Sequence, residues 1–522
     1  MSLSNHHIVS RAGLILLFIL SACNYPGMRP KIQELSSHQL RQTLEAQVDQ
    51  TPEASSSLTP GTLTSPTTVW QTTTTGSLPT AQPARTPGSN LENGHYLAQS
   101  GDTLPALAGR FGVSLQEISS SLPIPEKTMI SAGQELVIAN WVQKSSTVDP
   151  VLPDSEVVDS PTTLDFDIAG TINQAGGYLS QYSELVQAKR ISGAEIVQRV
   201  ALESSVNPRF LLALIELRSG WLRGAPAGAA REKYPIGFHV GGWEGLYKEL
   251  VISATHLNAG YYGWREGSLT QLQFIDGRSA PTDPELNAGS IATQYLLAKL
   301  YPQDQWQVAV YGAQGITGIY QQLFGDPWSR AARLGPLFPD GLSQPELELP
   351  FHPGERWSLT GGPHPSWKTG SPRGALDLAP VSGEMQCAMS RWWVLASAGG
   401  LIARSERNVV AIDLDGDGHE QTGWVIIYLH VADKDRIAAG VTVKTDDPLG
   451  HASCEGGAST GTHVHIARKY NGEWIAADGP LPFVLSGWQA FAGQKVYLGG
   501  MTKGNQQVVA SPVGPRTSII IR

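Results

Sequence analysis

The chain has 522 residues, which at roughly 150 per domain is a prior of three to four units. Hydrophobic residues make up 41% and charged residues 16%, and 56 Gly with 35 Pro allow long loops or linkers but not a collagen-like or wholly disordered chain. A net charge of −9 argues against a nucleic-acid partner, and no apolar run reaches the ~18 residues of a spanning helix, which excludes a polytopic membrane protein.

The N-terminus sets a compartment. Arg11 precedes a short apolar core, Gly13 to Leu20, as in a secretory signal. Leu20-Ser21-Ala22-Cys23 closes it and resembles a bacterial lipobox, in which Cys23 becomes the lipidated first residue of the mature chain. The expectation is a lipoprotein of the bacterial envelope, anchored to the membrane through that lipid and facing outside the cytoplasm. Two cysteines remain, Cys387 and Cys454, and an oxidising exterior invites a disulfide between them.

Residues 24–94 read as a disordered stalk. Positions 51–90 hold 18 Ser/Thr and 6 Pro, too few apolar groups to offset chain entropy. Residues 95–140 read as a small βααβ unit with Leu107, Phe111, Leu115 and Ile118 as apolar positions. Its opening Gly101-Asp102-Thr103-Leu104 and its ending Ile130-Ser131-Ala132-Gly133-Gln134-Glu135-Leu136-Val137-Ile138 resemble a LysM module. That resemblance implies a grip on peptidoglycan glycan, with Gly101, Asp102, Thr103 and Leu104 at the sugar. A linker is expected over 141–170.

Residues 171–340 read as mostly helical. Ile196, Val197, Val200 and Ala201 share one face, and Asn207-Pro208 offers an N-cap followed by Pro at the first helical position. The run Val206 to Gly220 resembles the catalytic helix of lysozyme-like lytic transglycosylases, which place a Glu immediately before the Ser. This chain has Arg218 there. Glu216 lies two residues earlier, about 200° around a helix. Glycosidic cleavage needs a protonated carboxyl at the scissile oxygen, so the expectation is a lysozyme-like scaffold without that activity.

From Pro345 the texture becomes β-rich, with short apolar runs separated by Gly-rich turns, which predicts an antiparallel all-β domain to residue 500 and a tail over 501–522. Three histidine motifs lie in it. Gly461-Thr462-His463-Val464-His465 puts two imidazoles on one face of a strand. Tyr428-Leu429-His430 ends an apolar strand, and Tyr428 is expected to pack. Gly361-Gly362-Pro363-His364 is followed by Ala375-Leu376-Asp377, an Asp in an apolar strand that is costly to bury unless paired or metal-bound. Asp413-Leu414-Asp415-Gly416-Asp417-Gly418 is spaced like a calcium loop, but Trp424 stands where the last ligand belongs, and a hairpin turn accounts for it as well.

Together the histidine motifs resemble the lysostaphin-like (LytM-type) zinc metallopeptidases of cell walls, and the Gly-Gly-Pro-His opening with a long loop to Asp377 resembles their β-lytic subgroup. The shorter spacing common in that family would fall on Arg373. The resemblance implies one zinc ion per chain held by His364, Asp377 and His465, an open catalytic pattern. His430 and His463 then act on water and substrate. The expected function is hydrolysis of peptide crosslinks in peptidoglycan. The alternative is a catalytically inert peptidoglycan-binding lipoprotein that regulates other wall hydrolases. Inert relatives usually lack ligands, and here the set is complete.

Overall fold

The computed structural model describes residues 93–141, 149–381, 387–514 and 516–522. The expected signal peptide with Cys23 and the stalk up to residue 92 lie outside them. Among the described residues no helix is long and apolar enough to cross a membrane.

The small N-terminal unit departs from a βααβ plan. It has one helix, α1 (Leu104–Phe111), capped by the Thr103 side chain and ended by left-handed Gly112. The second helix is a single tight turn, Leu115–Glu117, leading into a two-residue strand. The result is a three-stranded sheet in which Glu135–Ile138 lies between Gly94–Leu97 and Ile118–Ser119.

The expected linker is packed structure from Val151 onward. Val151, Leu152, Val157 and Val158 are buried in the core of the helical unit, because their apolar side chains are worth more inside than in water. That unit contains α2 (Gly193–Ser204), opened by a Ser192/Glu195 capping box, and α3 (Pro208–Ser219), opened by Asn207 and Pro208 as the sequence predicts. The long helix α4 (Leu246–Arg265) packs against α5 (Ala288–Ala298).

The C-terminal part is an antiparallel sheet. Its strands are β1 (Arg356–His364), β2 (Ala375–Pro380), β3 (Gly400–Glu406), β4 (Val409–Asp413), β5 (Trp424–Leu429), β6 (Thr442–Val443), β7 (Val464–Tyr470), β8 (Glu473–Trp474) and β9 (Ile519–Ile521). They run in the order β6-β3-β4-β5-β7-β2-β1-β9, with β8 paired to β7. The expected tail 501–522 is therefore strand structure: Gly499–Lys503 pairs with Gln506–Val509, and the last residues form an edge strand of the main sheet, held because Ile520 is buried beside Trp357. The Asp413–Gly418 loop joins β4 to β5 as a hairpin connection, and Asp413 accepts the backbone N–H groups of Asp415 and Gly418.

Both faces of this sheet are buried, which the period of two makes legible. Leu376, Val410, Ile412, Ile426, Tyr428 and Ile466 point into the β core, and the Tyr428 hydroxyl accepts the Ser397 N–H. Ala375, Val409, Ala411, Val425, Ile427 and Ala467 point the other way, into the core of the helical unit. The seam is also charged. Arg265 on α4 pairs with Glu473 at 3.0 Å and Asp154 at 2.9 Å and donates to the Ser100 carbonyl, so one guanidinium ties three parts of the chain. Glu420 meets Arg404 at 2.5 Å and Lys469 at 3.2 Å, while Lys469 reaches the Leu202 carbonyl.

Burial by itself raises the Glu420 carboxyl, but Arg404 and Lys469 outweigh it and hold the group down to about 2. Its folded value lies below the ordinary ~4.3 of an unfolded Glu, so its stabilisation is complete above that pH and is lost as pH falls toward 2. The thermal midpoint of the wild type should exceed that of Glu420→Gln most at neutral pH, with the gap narrowing between about pH 4.5 and 3. A gap constant over that range would contradict the assignment.

Candidate metal centre and active site

Four adjacent strands deliver the site. In register, His465 on β7 faces Asp377 on β2 on one side and Leu429 on β5 on the other, and Asp377 faces Gly361 on β1. Regular pairing would set Pro363 opposite Ala375. A bulge between Gly361 and His364 adds one residue, so His364 pairs with Ala375 and turns to the Asp377 face. Gly361 is needed for clearance, since a Cβ there would stand 2.5 Å from the Asp377 carboxylate.

The three atoms aimed at one point are close. His364 Nε2 lies 3.2 Å from Asp377 Oδ1 and 3.0 Å from His465 Nδ1, and His465 Nδ1 lies 3.3 Å from the same oxygen. Each imidazole spends its other nitrogen on a carbonyl, which can only accept. His364 Nδ1 donates to Gly362 O at 2.8 Å and His465 Nε2 to Ser366 O at 2.9 Å. Burial lowers His465 below its ordinary value and so favours its neutral form. In the neutral tautomers the facing nitrogens are bare lone pairs, opposed to a buried carboxylate oxygen that has no hydrogen-bond partner. Three acceptors in contact repel unless a cation sits among them. Their separations match the edge of a tetrahedron, about 3.3 Å for metal–nitrogen bonds of ~2.0–2.1 Å, so the donor set fits zinc.

The other two imidazoles stand beside this cluster. His463 Nε2 is 3.7 Å from Asp377 Oδ1, and the His430 and His463 rings are 4.5 Å apart. Both are oriented in the same way: His430 Nδ1 donates to Glu455 O and His463 Nδ1 to Gly461 O, each at 2.7 Å. Each Nε2 is left free to take a proton. Burial, then the charge of His463, lowers His430 to about 4, so it is an unprotonated base at neutral pH. His430 also holds a positive φ of 67°, a backbone state that a non-glycine residue adopts only under constraint. Burial raises the Asp377 carboxyl, and positive charge on His364 and His463, when they are protonated, outweighs it and holds the group well below the carboxylate range; with those nitrogens bare, a cation has to supply that charge.

The remaining sequence candidates separate from this centre. Cys387 and Cys454 are bonded to each other, and Cys454 begins the loop that ends at His463. Arg373 donates to Gly493 O. Gly101, Asp102, Thr103 and Leu104 do not form an open sugar-facing surface. Asp102 is buried, paired with Arg110 at 2.6 Å, and accepts from Tyr96. Gly101 is pressed against Arg265, Thr103 caps α1, and Leu104 is half-buried beside the module's core. The cause is docking of this loop on the helical unit. In that unit Glu216 is held by Arg223 and the Leu222 N–H, while Arg218 donates to Ile236 O and lies over the Tyr301 ring. Beside it, the buried Glu249 carboxylate accepts the N–H groups of Ile236, Gly237 and Phe238. Trp221, Tyr261, Tyr262 and Trp264 pack in the core.

Several site residues gave no signal in the sequence. A cavity of about 490 Å³ opens onto the cluster, and α4 supplies one wall with Val251, Ile252, Thr255 and His256. Trp243 adds to it. The Tyr497 ring stacks on His364 at 4.2 Å, from a loop more than a hundred residues downstream. Only the fold brings these together.

Comparison with known proteins agrees with this arrangement. Residues 150–337 match the family described as LasA, N-terminal domain. A beta-lytic metalloendopeptidase of Lysobacter enzymogenes is 30% identical over 161 residues, which is 30% of this chain and 82% of the relative. The chain belongs to the beta-lytic metalloendopeptidase family. Protease LasA of Pseudomonas aeruginosa is 29% identical over 305 residues, 53% of this chain, and the match covers 65% of LasA. The beta-lytic metalloendopeptidase of Achromobacter lyticus is 30% identical over 161 residues and is matched over 39% of its length. The helical unit of this family member thus has its counterpart in the LasA N-terminal domain.

The purified chain should bind one equivalent of zinc, and His364→Ala should abolish it, because the two ligands left rarely hold the ion. Elemental analysis after dialysis checks this. Stoichiometric zinc in His364→Ala would remove His364 from the ligand set.

Proposed function

We propose that the chain is a cell-wall zinc metalloendopeptidase that hydrolyses peptide crosslinks of peptidoglycan. The observation that carries the reading is the convergence of His364 Nε2, Asp377 Oδ1 and His465 Nδ1 with no proton to share, flanked by two further imidazoles with free Nε2 atoms. Zinc held there would supply Lewis acidity, polarising the scissile carbonyl and acidifying water. His430 and His463 lie on one side of the cluster. One takes the proton from the attacking water, and the pair returns a proton to the leaving amine and steadies the charge that develops on the carbonyl oxygen.

The wall substrate is supported by the resemblance of the histidine motifs to cell-wall metallopeptidases and by the LysM-like sequence of residues 95–140. In this reading lipidated Cys23 anchors the enzyme at the envelope, outside the cytoplasm. The helical unit takes no glycosidic step, because Arg218 has no proton to give at working pH. With Asp102 paired internally, a glycan grip by the small module does not run through that carboxylate.

Zinc-loaded chain mixed with purified peptidoglycan should release new amino groups. His430→Ala should keep its zinc and lose at least ~10²-fold in rate, the usual scale for a general acid–base group. Loss of zinc in that variant would make His430 a ligand. Zinc binding by the wild type with no amino groups released would favour the inert, regulatory reading.

A further inference from the structure

Both catalytic imidazoles take their orientation from one exposed loop, 455–461, through the carbonyls of Glu455 and Gly461. The loop contains Gly456, Gly457 and Gly461, so it has little order of its own. A carbonyl can fix a tautomer only if it is itself fixed. The Gly461 end is tied down close to His463: Thr462 donates to Ala388 O at 2.6 Å, and Ser459 donates to Gly461 O at 2.7 Å. The Glu455 end is held at its root, where the Glu455 N–H donates to Ser453 Oγ at 3.1 Å and the Ser453 hydroxyl and N–H both donate to His430 O at 2.9 Å, and beyond that root by an anchor from elsewhere in the fold.

That anchor is the β3–β4 hairpin turn, Arg407-Asn408, whose residues have φ of 48° and 63°. Asn408 is buried and straddles His430. Its backbone carbonyl accepts the Val431 N–H at 3.1 Å, and its side-chain amide donates to Val431 O at 3.1 Å. The same amide donates to Glu455 Oε2 at 2.7 Å, and that oxygen also accepts the Asp433 N–H at 2.9 Å. The segment after His430 and the segment that orients His430 are therefore tied to each other through one amide and one carboxylate. Gly456 is shaped to this contact, since a Cβ there would stand 2.5 Å from the Asn408 Cβ. Neither Asn408 nor Glu455 lines the cavity.

We propose that Asn408 and Glu455 are positioning residues that clamp the Glu455 peptide carbonyl and so keep His430 in its Nδ1–H form, with Nε2 presented as the base. The proposal rests on the peptidase reading of the site. It assigns neither residue a contact with substrate. Arg407, the other residue of the turn, pairs with Glu203 of the helical unit at 3.2 Å, so the clamp is braced from outside the sheet.

The test uses the whole chain loaded with zinc, in three variants. Asn408→Gly removes the amide but keeps the left-handed turn, Glu455→Ala removes the carboxylate, and Glu455→Gln keeps an acceptor oxygen and serves as the rescue. The first readout is ¹⁵N NMR of the histidine rings, with His430 assigned by its loss in His430→Gln. The wild type and Glu455→Gln should show the Nδ1–H tautomer alone, and the other two a mixture of tautomers. Zinc content and KM should hold, while kcat falls roughly 10–100-fold in Asn408→Gly and Glu455→Ala at a temperature where both remain folded, and recovers in Glu455→Gln. A His430 that keeps a single tautomer in both of those variants overturns the proposal whatever happens to the rate. Failure of the peptidase reading looks different: the wild type would release no amino groups, and the tautomer measurement would still decide the clamp.

Discussion

The site depends on a buried carboxylate, Asp377, whose Oδ1 has no hydrogen-bond donor among the described residues. Asp377 sits in the middle of an apolar strand, against imidazole nitrogens that face it as lone pairs. Taking an ion out of water costs several kcal/mol unless it is compensated, and a cation held among the three atoms would supply that compensation. The neighbouring structure serves that requirement. The β1 bulge turns His364 toward Asp377, Gly361 leaves room for the carboxylate, and the carbonyls of Gly362 and Ser366 take the imidazole protons that would otherwise fill the centre. The long loop between His364 and Asp377 is thus functional: it brings the Ser366 carbonyl to His465.

The sheet is used on both faces, and the face that carries Asp377 and His465 is the one the helical unit covers. This follows from the period of two, since Ala375 and Ala467 lie on that face and pack into the helical core. The consequence is a cavity walled by α4 on one side and by Gly456, Gly457 and Ala458 of the 455–461 loop on the other. The same seam holds a buried network of Arg265, Glu473, Asp154, Glu420, Arg404 and Lys469. Replacing such ions by apolar groups is often tolerated, whereas removing one partner is not, so the network serves above all to specify how the layers meet.

Much of the chemistry was legible because it is local. A His-x-His on a strand, an Asp in an apolar run and capped amphipathic helices are patterns of period two and 3.6, and they carry their own physical reasons. Residues 193–204 and 208–219 form helices, and 400–406, 409–413, 424–429 and 464–470 form strands, close to where those periods place them. The boundaries misread were those set by distant partners. Residues 151–170 look like a linker until the helical core is present to bury Val151, Leu152 and Val157. The last residues look like a tail until β1 offers Ile520 an edge to pair with. Asp102 reads as a sugar contact until Arg110, at the far end of α1 and docked against Trp264, takes its charge.

By itself, then, the sequence determined the residue types and spacing of the histidine and aspartate motifs and the short apolar runs of the strands that carry them. These depend on neighbours a few positions apart, where geometry is dictated by the backbone. Only the tertiary structure decided that His430 and His463 are oriented by a single glycine-rich loop, that Asn408 holds one end of it, that Tyr497 stacks on His364 and that α4 walls the cavity. Those contacts join segments tens to hundreds of residues apart. Their geometry follows from how the layers pack, and no local period encodes it.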